Sequence, residues 1–128
     1  MEINTISNNK PIKRAIFSMD IEDWYHLDYF NANHCDRNYS MLDGINVYLS
    51  LLDKHKIPSN FFVVGEIAKS IRALLNQIIE LNHDIGSHGW NHKRPIIMPI
   101  SQFRDDLIKS KKTIEDIIRH PVNGYRAP

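Results

Sequence analysis

The sequence predicts an α/β fold in which about four short parallel strands alternate with three helices. Short, continuous apolar runs, bounded by Pro, Gly or acidic residues, alternate with longer segments whose apolar residues recur at helical spacing. Strands separated by helices pair in parallel through right-handed crossovers, which favours a parallel sheet. The chain has 128 residues, the length of one small domain, so we expect a single hydrophobic core.

The predicted elements follow one another as β–α–β–α–β–α–β. The strands are predicted at residues 15–19, 60–64, 84–87 and 122–125. The first two helices are predicted at residues 41–55 and 66–82, and the third is predicted to begin with Ser101 as its N-cap and to end before Pro121. Residues 24–40 are aromatic and polar without a period, which is typical of a long functional loop. Residues 1–13 are predicted to be a flexible lead-in to one domain at residues 14–128.

The composition is that of an ordinary globular domain. Hydrophobic residues make up 42% of the chain and charged residues 24%, which excludes disordered, collagen-like and coiled-coil classes. The net charge of +1 lacks the positive excess on which nucleic-acid binding depends, so we expect no nucleic-acid partner. The single cysteine, Cys35, cannot form an internal disulfide. No apolar run approaches the roughly 20 residues of a membrane-spanning helix, and we expect a cytoplasmic protein without a transmembrane segment.

Ionisable side chains follow the predicted strands, at the edge where parallel α/β sheets place their functional sites. These side chains are those of Asp20, Glu22, Asp23, His88, His92 and Arg126. Carboxylate oxygen together with two imidazole nitrogens suits a divalent transition ion, with zinc the first choice. An HExxH metalloprotease motif is excluded, because no Glu lies between the two histidines.

Three segments resemble the first three motifs of the polysaccharide deacetylases, the NodB-homology group of carbohydrate esterase family 4. In the family's order they are SMDIEDW at residues 18–24, SHGWNH at residues 87–92 and GYRAP at residues 124–128. The run FFVVG at residues 61–65 is similar to the family's second strand. The resemblance extends from about Arg14 to Pro128, and the first motif is most similar to bacterial members associated with surface-polysaccharide synthesis.

This resemblance implies a deformed (β/α) barrel, of which the chain holds the N-terminal part. It also implies a metal-dependent hydrolase that removes an N-acetyl group from a sugar of a bacterial surface polysaccharide or its precursor. By their places in the motifs, Asp20 is the general base that takes a proton from metal-bound water, and Arg126 orients Asp20 and balances its charge. His88 and His92 supply the imidazole ligands of a zinc ion, with cobalt and nickel as alternatives.

The resemblance leaves the carboxylate ligand open between Glu22 and Asp23. Asp23 has the side chain that the family prefers. A strand that continues through Ile21 would point Asp20 and Glu22 to the same side, because side chains alternate along a strand, and this favours Glu22.

The third motif ends at Pro128, whereas family members continue with further strands and a general acid. We therefore expect either a fragment of a longer deacetylase or a shortened relative that completes its sheet by self-association. By itself, the chain is expected to be nearly inactive and to associate through the edge of the incomplete barrel. Two other functions stay open. The chain could be a metal- or carbohydrate-binding fragment without turnover, or a C–N hydrolase that acts on a non-sugar substrate, as the allantoinase-like relatives do.

Overall fold

The structure, a computed structural model, describes residues 14–27, 38 and 40–128. Within these residues, three parallel strands form one sheet in the order β1-β2-β3. The strands are β1 (Phe17–Ile21), β2 (Ser59–Val63) and β3 (Asp84–Ser87). The helices are α1 (Ile45–His55), α2 (Arg72–Glu80) and α3 (Ile100–Ile118). The predicted α/β class with a parallel sheet and three helices is confirmed.

One face of the sheet forms the core together with all three helices. Phe61 and Val63 of β2 are completely buried. They share one cluster with Leu49 of α1, Leu75 of α2 and Ile114 of α3, each of which is also fully buried. Apolar burial of this kind is the main force that holds helices against a sheet. The core therefore leaves the opposite face of the sheet for other chemistry.

The first strand continues two residues beyond its predicted end and includes Asp20. Ile21, its last residue, is completely buried and pairs with Val63, so that packing and pairing together extend the strand. Asp20 pairs with Phe62 in the register of β1 and β2. Because side chains alternate along a strand, Asp20 points away from the face that carries Ile21 and toward the open face.

The helices also begin differently from prediction. The first two predicted helices each start as a separate 3-10 turn, at Met41–Gly44 and Gly65–Ile67, before α1 and α2 begin. The prediction that Ser101 is the N-cap of the third helix is wrong. Pro99 is the N-cap of α3, because the N–H of Phe103 donates to the Pro99 carbonyl at 3.0 Å and so places Ser101 inside the first turn.

The fourth predicted strand is reduced to one parallel bridge between Ser87 and Tyr125. The bridge consists of a hydrogen bond from the Ser87 N–H to the Gly124 carbonyl and one from the Arg126 N–H to the Ser87 carbonyl, each 2.9 Å long. The N–H of Val122 is not free to extend this pairing, because it donates to the Glu115 carboxylate at 2.8 Å. The single bridge nevertheless brings Arg126 to the end of β3.

The predicted lead-in at residues 1–13 and the unpaired thiol of Cys35 lie outside the described residues. None of the helices in the described part of the chain combines the length and hydropathy needed to cross a membrane. β1 is an edge of the three-stranded sheet, and Phe17 on it is exposed together with the neighbouring Ile16. Self-association through such an edge stays a prediction.

Gly65 lies where the turn after β2 touches α3. A Cβ there would lie 2.8 Å from Cε3 of Trp90, closer than non-bonded carbons approach, and 3.1 Å from Cα of Ser110, which is tighter than most such contacts. We expect Gly65→Ala to lower the free energy of unfolding by about 1–3 kcal/mol, measured by denaturant unfolding, because helix backbone cannot move aside cheaply. Gly44→Ala is the control, since nothing lies within 4 Å of a Cβ there. Equal losses in the two variants would contradict this account.

Candidate functional site

Asp20 and Arg126 form an ion pair on the open face of the sheet. Arg126 Nη1 donates to Asp20 Oδ1 at 2.6 Å, and Nη2 donates to Ser18 Oγ at 2.6 Å. The guanidinium carbon also lies 4.2 Å from the centre of the Phe62 ring. These contacts hold Arg126 against Ser18 and Asp20, which lie two residues apart on the same face of β1, and they fix the position of one Asp20 oxygen. The other oxygen, Oδ2, lies 4.0 Å from Nε2 of His88.

His88 is buried, and the main chain sets the orientation of its ring. Its Nδ1 lies 2.9 Å from the carbonyl oxygen of Arg126. Because a carbonyl oxygen only accepts, we assign the ring proton to Nδ1, which leaves a lone pair on Nε2. A backbone carbonyl in this role is a common partner of metal-binding histidines, since it fixes both the tautomer and the ring orientation. His88 therefore presents Nε2 as a ligand on the side of Asp20.

Glu22, His88 and His92 each bring one potential ligand atom within 4.8 Å of the others. The imidazole rings of His88 and His92 lie 5.0 Å apart, at an angle of 71°. Glu22 Oε2 lies 2.9 Å from Nε2 of His92, yet this oxygen is buried without a hydrogen-bond partner among the described residues. The oxygen faces an imidazole nitrogen, but the geometry is not that of a hydrogen bond. A cation bound between these atoms would pair the buried carboxylate oxygen. The donor set fits a divalent transition ion.

Asp23 is engaged elsewhere. Its carboxylate is buried, and Oδ1 accepts hydrogen bonds from the N–H of Trp24 at 3.0 Å and from the N–H of Met41 at 2.9 Å. Asp23 is also the N-cap of a 3-10 turn at Trp24–His26, a role for which aspartate is well suited. The sequence left the choice of carboxylate ligand between Glu22 and Asp23. In the structure, Glu22 lies beside the two histidines, whereas Asp23 accepts hydrogen bonds from backbone N–H groups.

Sequence reasoning missed two side chains that contact this region. Ser18 accepts a hydrogen bond from Arg126, and its place two residues before Asp20 on a strand was a signal that the two share a face. Glu66 Oε1 lies 3.0 Å from Nε2 of His26 and links the turn after β2 to the loop after β1. Glu66 carried no such signal, because 40 residues separate it from His26.

Aromatic and acidic side chains of α3 border the loop that carries His88 and His92. Asp106 accepts a hydrogen bond from the N–H of Trp90 at 2.9 Å. Burial raises the pKa of Asp106 above its ordinary value, although the bond from Trp90 opposes this shift. Burial, reinforced by the charge of Asp106, also raises the pKa of Tyr125, whose ring packs 5.9 Å from that of Phe103. The flank formed by α3 is thus partly desolvated.

Comparison with known proteins assigns this arrangement to a family. The family model described as polysaccharide deacetylase matches residues 38–128. The peptidoglycan deacetylase of Helicobacter pylori is 33% identical over 85 residues, which cover 66% of this chain and 29% of that protein. The peptidoglycan-N-acetylmuramic acid deacetylase of Bacillus subtilis is 28% identical over 80 residues, which cover 62% of this chain and 30% of that protein. The chain thus spans less than a third of the length of these two curated relatives.

Solved structures show the same fold. A protein from Mycobacterium smegmatis assigned to the polysaccharide deacetylases superposes with a TM-score of 0.77 at 26% identity, covering 88% of this chain and 42% of that one. A family 4 carbohydrate esterase from Bacillus anthracis superposes with a TM-score of 0.67 at 22% identity, covering 88% and 47%. The three strands and three helices therefore form part of a barrel of the predicted NodB-homology type. With its family model matching more than two thirds of its residues, the chain belongs to the polysaccharide deacetylase family.

Proposed function

We propose that the chain carries the catalytic centre of a metal-dependent hydrolase, which removes N-acetyl groups from a sugar of a bacterial surface polysaccharide or its precursor. The observation that supports this proposal most directly is the convergence of Glu22, His88 and His92 beside the ion pair of Asp20 and Arg126. Membership of the polysaccharide deacetylase family supports the reaction type. The names of the Helicobacter and Bacillus relatives support an N-acetylated saccharide as the substrate.

Glu22, His88 and His92 would hold the divalent ion, for which zinc is our first choice and cobalt and nickel are alternatives. One carboxylate oxygen and two imidazole nitrogens form the ligand set of several catalytic zinc sites, in which further positions stay open. When bound, such an ion supplies a Lewis acid that polarises the amide carbonyl and acidifies water. The hydrogen bond from His88 Nδ1 to the Arg126 carbonyl selects the neutral tautomer whose lone pair is on Nε2.

Asp20 would act as the general base. Arg126 binds Oδ1 of Asp20 and leaves Oδ2 on the side of His88, next to the ligand cluster. A water molecule at this position can pass a proton to Oδ2 while its oxygen adds to the amide carbon. Transfer of this proton from Asp20 to the amide nitrogen then allows the C–N bond to break, which releases acetate and the sugar amine. A positioned general base typically contributes a factor of about 10² to 10⁴ to the rate.

Arg126 would position the base and does not itself exchange a proton, because a guanidinium stays protonated in proteins. Its contacts with Ser18 and with the Phe62 ring restrict the guanidinium to one orientation. The ion pair consequently has little freedom, and Asp20 does not need to reorganise when the substrate binds.

The proposal is tested by acetate release from an N-acetylhexosamine oligomer, followed over hours. We expect slow release that chelation abolishes and that added Zn²⁺, Co²⁺ or Ni²⁺ restores. Allantoin, supplied to the same preparation, is the matched non-sugar substrate and is expected to stay intact. Hydrolysis of allantoin without acetate release, or acetate release that is indifferent to chelation, would contradict the proposal.

A further inference from the structure

A closed set of hydrogen bonds lies beneath the loop that carries His88 and His92. The Gly89 N–H donates to Ser87 Oγ at 3.2 Å, the hydroxyl oxygens of Ser87 and Ser110 lie 2.8 Å apart, and Ser110 donates to the Gly89 carbonyl at 2.9 Å. Because the carbonyl only accepts, the Ser110 proton points to Gly89, and Ser87 must donate to Ser110. The bonds thus run in one direction from the N–H of Gly89 to its own C=O. Chains of this kind polarise and strengthen one another, and here Ser110 is fully buried.

The loop needs this support because its backbone conformation is unusual. Gly89 has a φ of +78°, and His92, which is not a glycine, has a φ of 58°. A side chain in the left-handed region costs free energy unless the surrounding structure imposes the conformation. In this loop conformation, Nε2 of His92 lies 2.9 Å from Oε2 of Glu22. Ser110 acts on Gly89, the residue at which the unusual path begins.

Helix α3 supports the next residue in the same way. Asp106 lies one turn before Ser110 on α3, and its Oδ2 accepts the N–H of Trp90 at 2.9 Å. The turn after β2 completes the pairing, because Gly65 N–H donates to the Gly89 carbonyl at 2.9 Å and Glu66 N–H donates to the Trp90 carbonyl at 2.8 Å. All four backbone groups of the two residues that follow His88 are therefore hydrogen-bonded. Two residues one helical turn apart on α3 supply part of this support.

We propose that Ser110 is a positioning residue for the metal ligands. Through Ser87 and Gly89 it holds the loop so that the imidazoles of His88 and His92 converge with Glu22. The inference rests on the proposed function in one respect, namely that this cluster binds a divalent ion. Partners that orient metal ligands from outside the ligand set typically change metal affinity by about 10- to 100-fold when they are removed.

The test compares Ser110→Ala with two control variants of the 128-residue chain. Ile114→Val removes a methyl group from a fully buried residue on the same helix. Ser59→Ala removes a buried hydroxyl that has no hydrogen-bond partner in the described part of the chain. For each protein, Zn²⁺ and Co²⁺ affinities are measured by competition with a chromophoric chelator. Thermal unfolding without metal and amide hydrogen exchange at Gly89 are measured in parallel.

We expect Ser110→Ala to bind Zn²⁺ and Co²⁺ about 10- to 100-fold more weakly and to exchange the Gly89 amide faster. Ile114→Val is expected to unfold at a lower temperature with unchanged affinity, and Ser59→Ala to change neither affinity nor exchange. An unchanged affinity in Ser110→Ala overturns the positioning role alone, as does an equal loss of affinity in Ile114→Val. Failure of the wild-type chain to bind either ion overturns the proposed function, and the positioning role with it.

Discussion

Asp20→Asn is expected to lower the rate of acetate release by about 10² to 10⁴ while the protein keeps its metal. The amide has nearly the shape of the carboxylate, and its oxygen can still accept the hydrogen bond from Arg126 Nη1, but it cannot take a proton from water. The measurement is kcat/KM for an N-acetylhexosamine oligomer, together with the metal content of the purified variant. If Asp20→Asn keeps its ion but loses acetate release, Asp20 acts as the base and is not a metal ligand.

Ser18→Ala is the matched control for this experiment. It removes the acceptor of Arg126 Nη2 and leaves the contact between Arg126 and Asp20 in place. We expect a much smaller loss of rate than in Asp20→Asn, since the base itself is intact. If Asp20→Asn loses the ion, Asp20 is a ligand, and its Oδ2, 4.0 Å from His88 Nε2, serves the metal and not the attacking water.

Glu22→Gln and His88→Ala are expected to lose nearly all bound divalent ion, whereas Asp23→Asn keeps it. Gln and Asn remove one charge with little change of shape, so the two carboxylate variants form a matched pair. Glu22 Oε2 faces the imidazole of His92, while Asp23 accepts backbone hydrogen bonds from Trp24 and Met41, which an asparagine oxygen can also accept. The measurement is metal content by elemental analysis after gel filtration.

The opposite outcome would be equally informative. Loss of the ion in Asp23→Asn, with retention in Glu22→Gln, would assign the ligand to Asp23. It would also require the turn at Trp24–His26 to rearrange, because Asp23 is its N-cap. Metal content that does not differ between the wild type and His88→Ala would contradict the site as a whole.

The order of strands and helices was predictable because hydrophobic periodicity is a local property of the chain. The apolar run around Phe61 and the helical spacing around Leu75 indicate elements that the structure contains in the same order. The ends of these elements depend on partners elsewhere. Ser101 has a good capping side chain, yet Pro99 accepts the first helical hydrogen bond. Val122 lies in an apolar run, yet its N–H is taken by Glu115.

The sequence by itself determined which side chains would gather, because residues that follow parallel strands meet at one edge of the sheet. Asp20, His88 and Arg126 are brought together in this way, across more than 100 residues in the case of Asp20 and Arg126. Only the tertiary structure decided which carboxylate faces the histidines. Glu22 and Asp23 are adjacent in sequence, and they differ in which distant groups contact their carboxylate oxygens. The N–H of Met41 donates a hydrogen bond to the Asp23 carboxylate. Glu22 Oε2 is instead buried beside the ring of His92, without a hydrogen bond among the described residues.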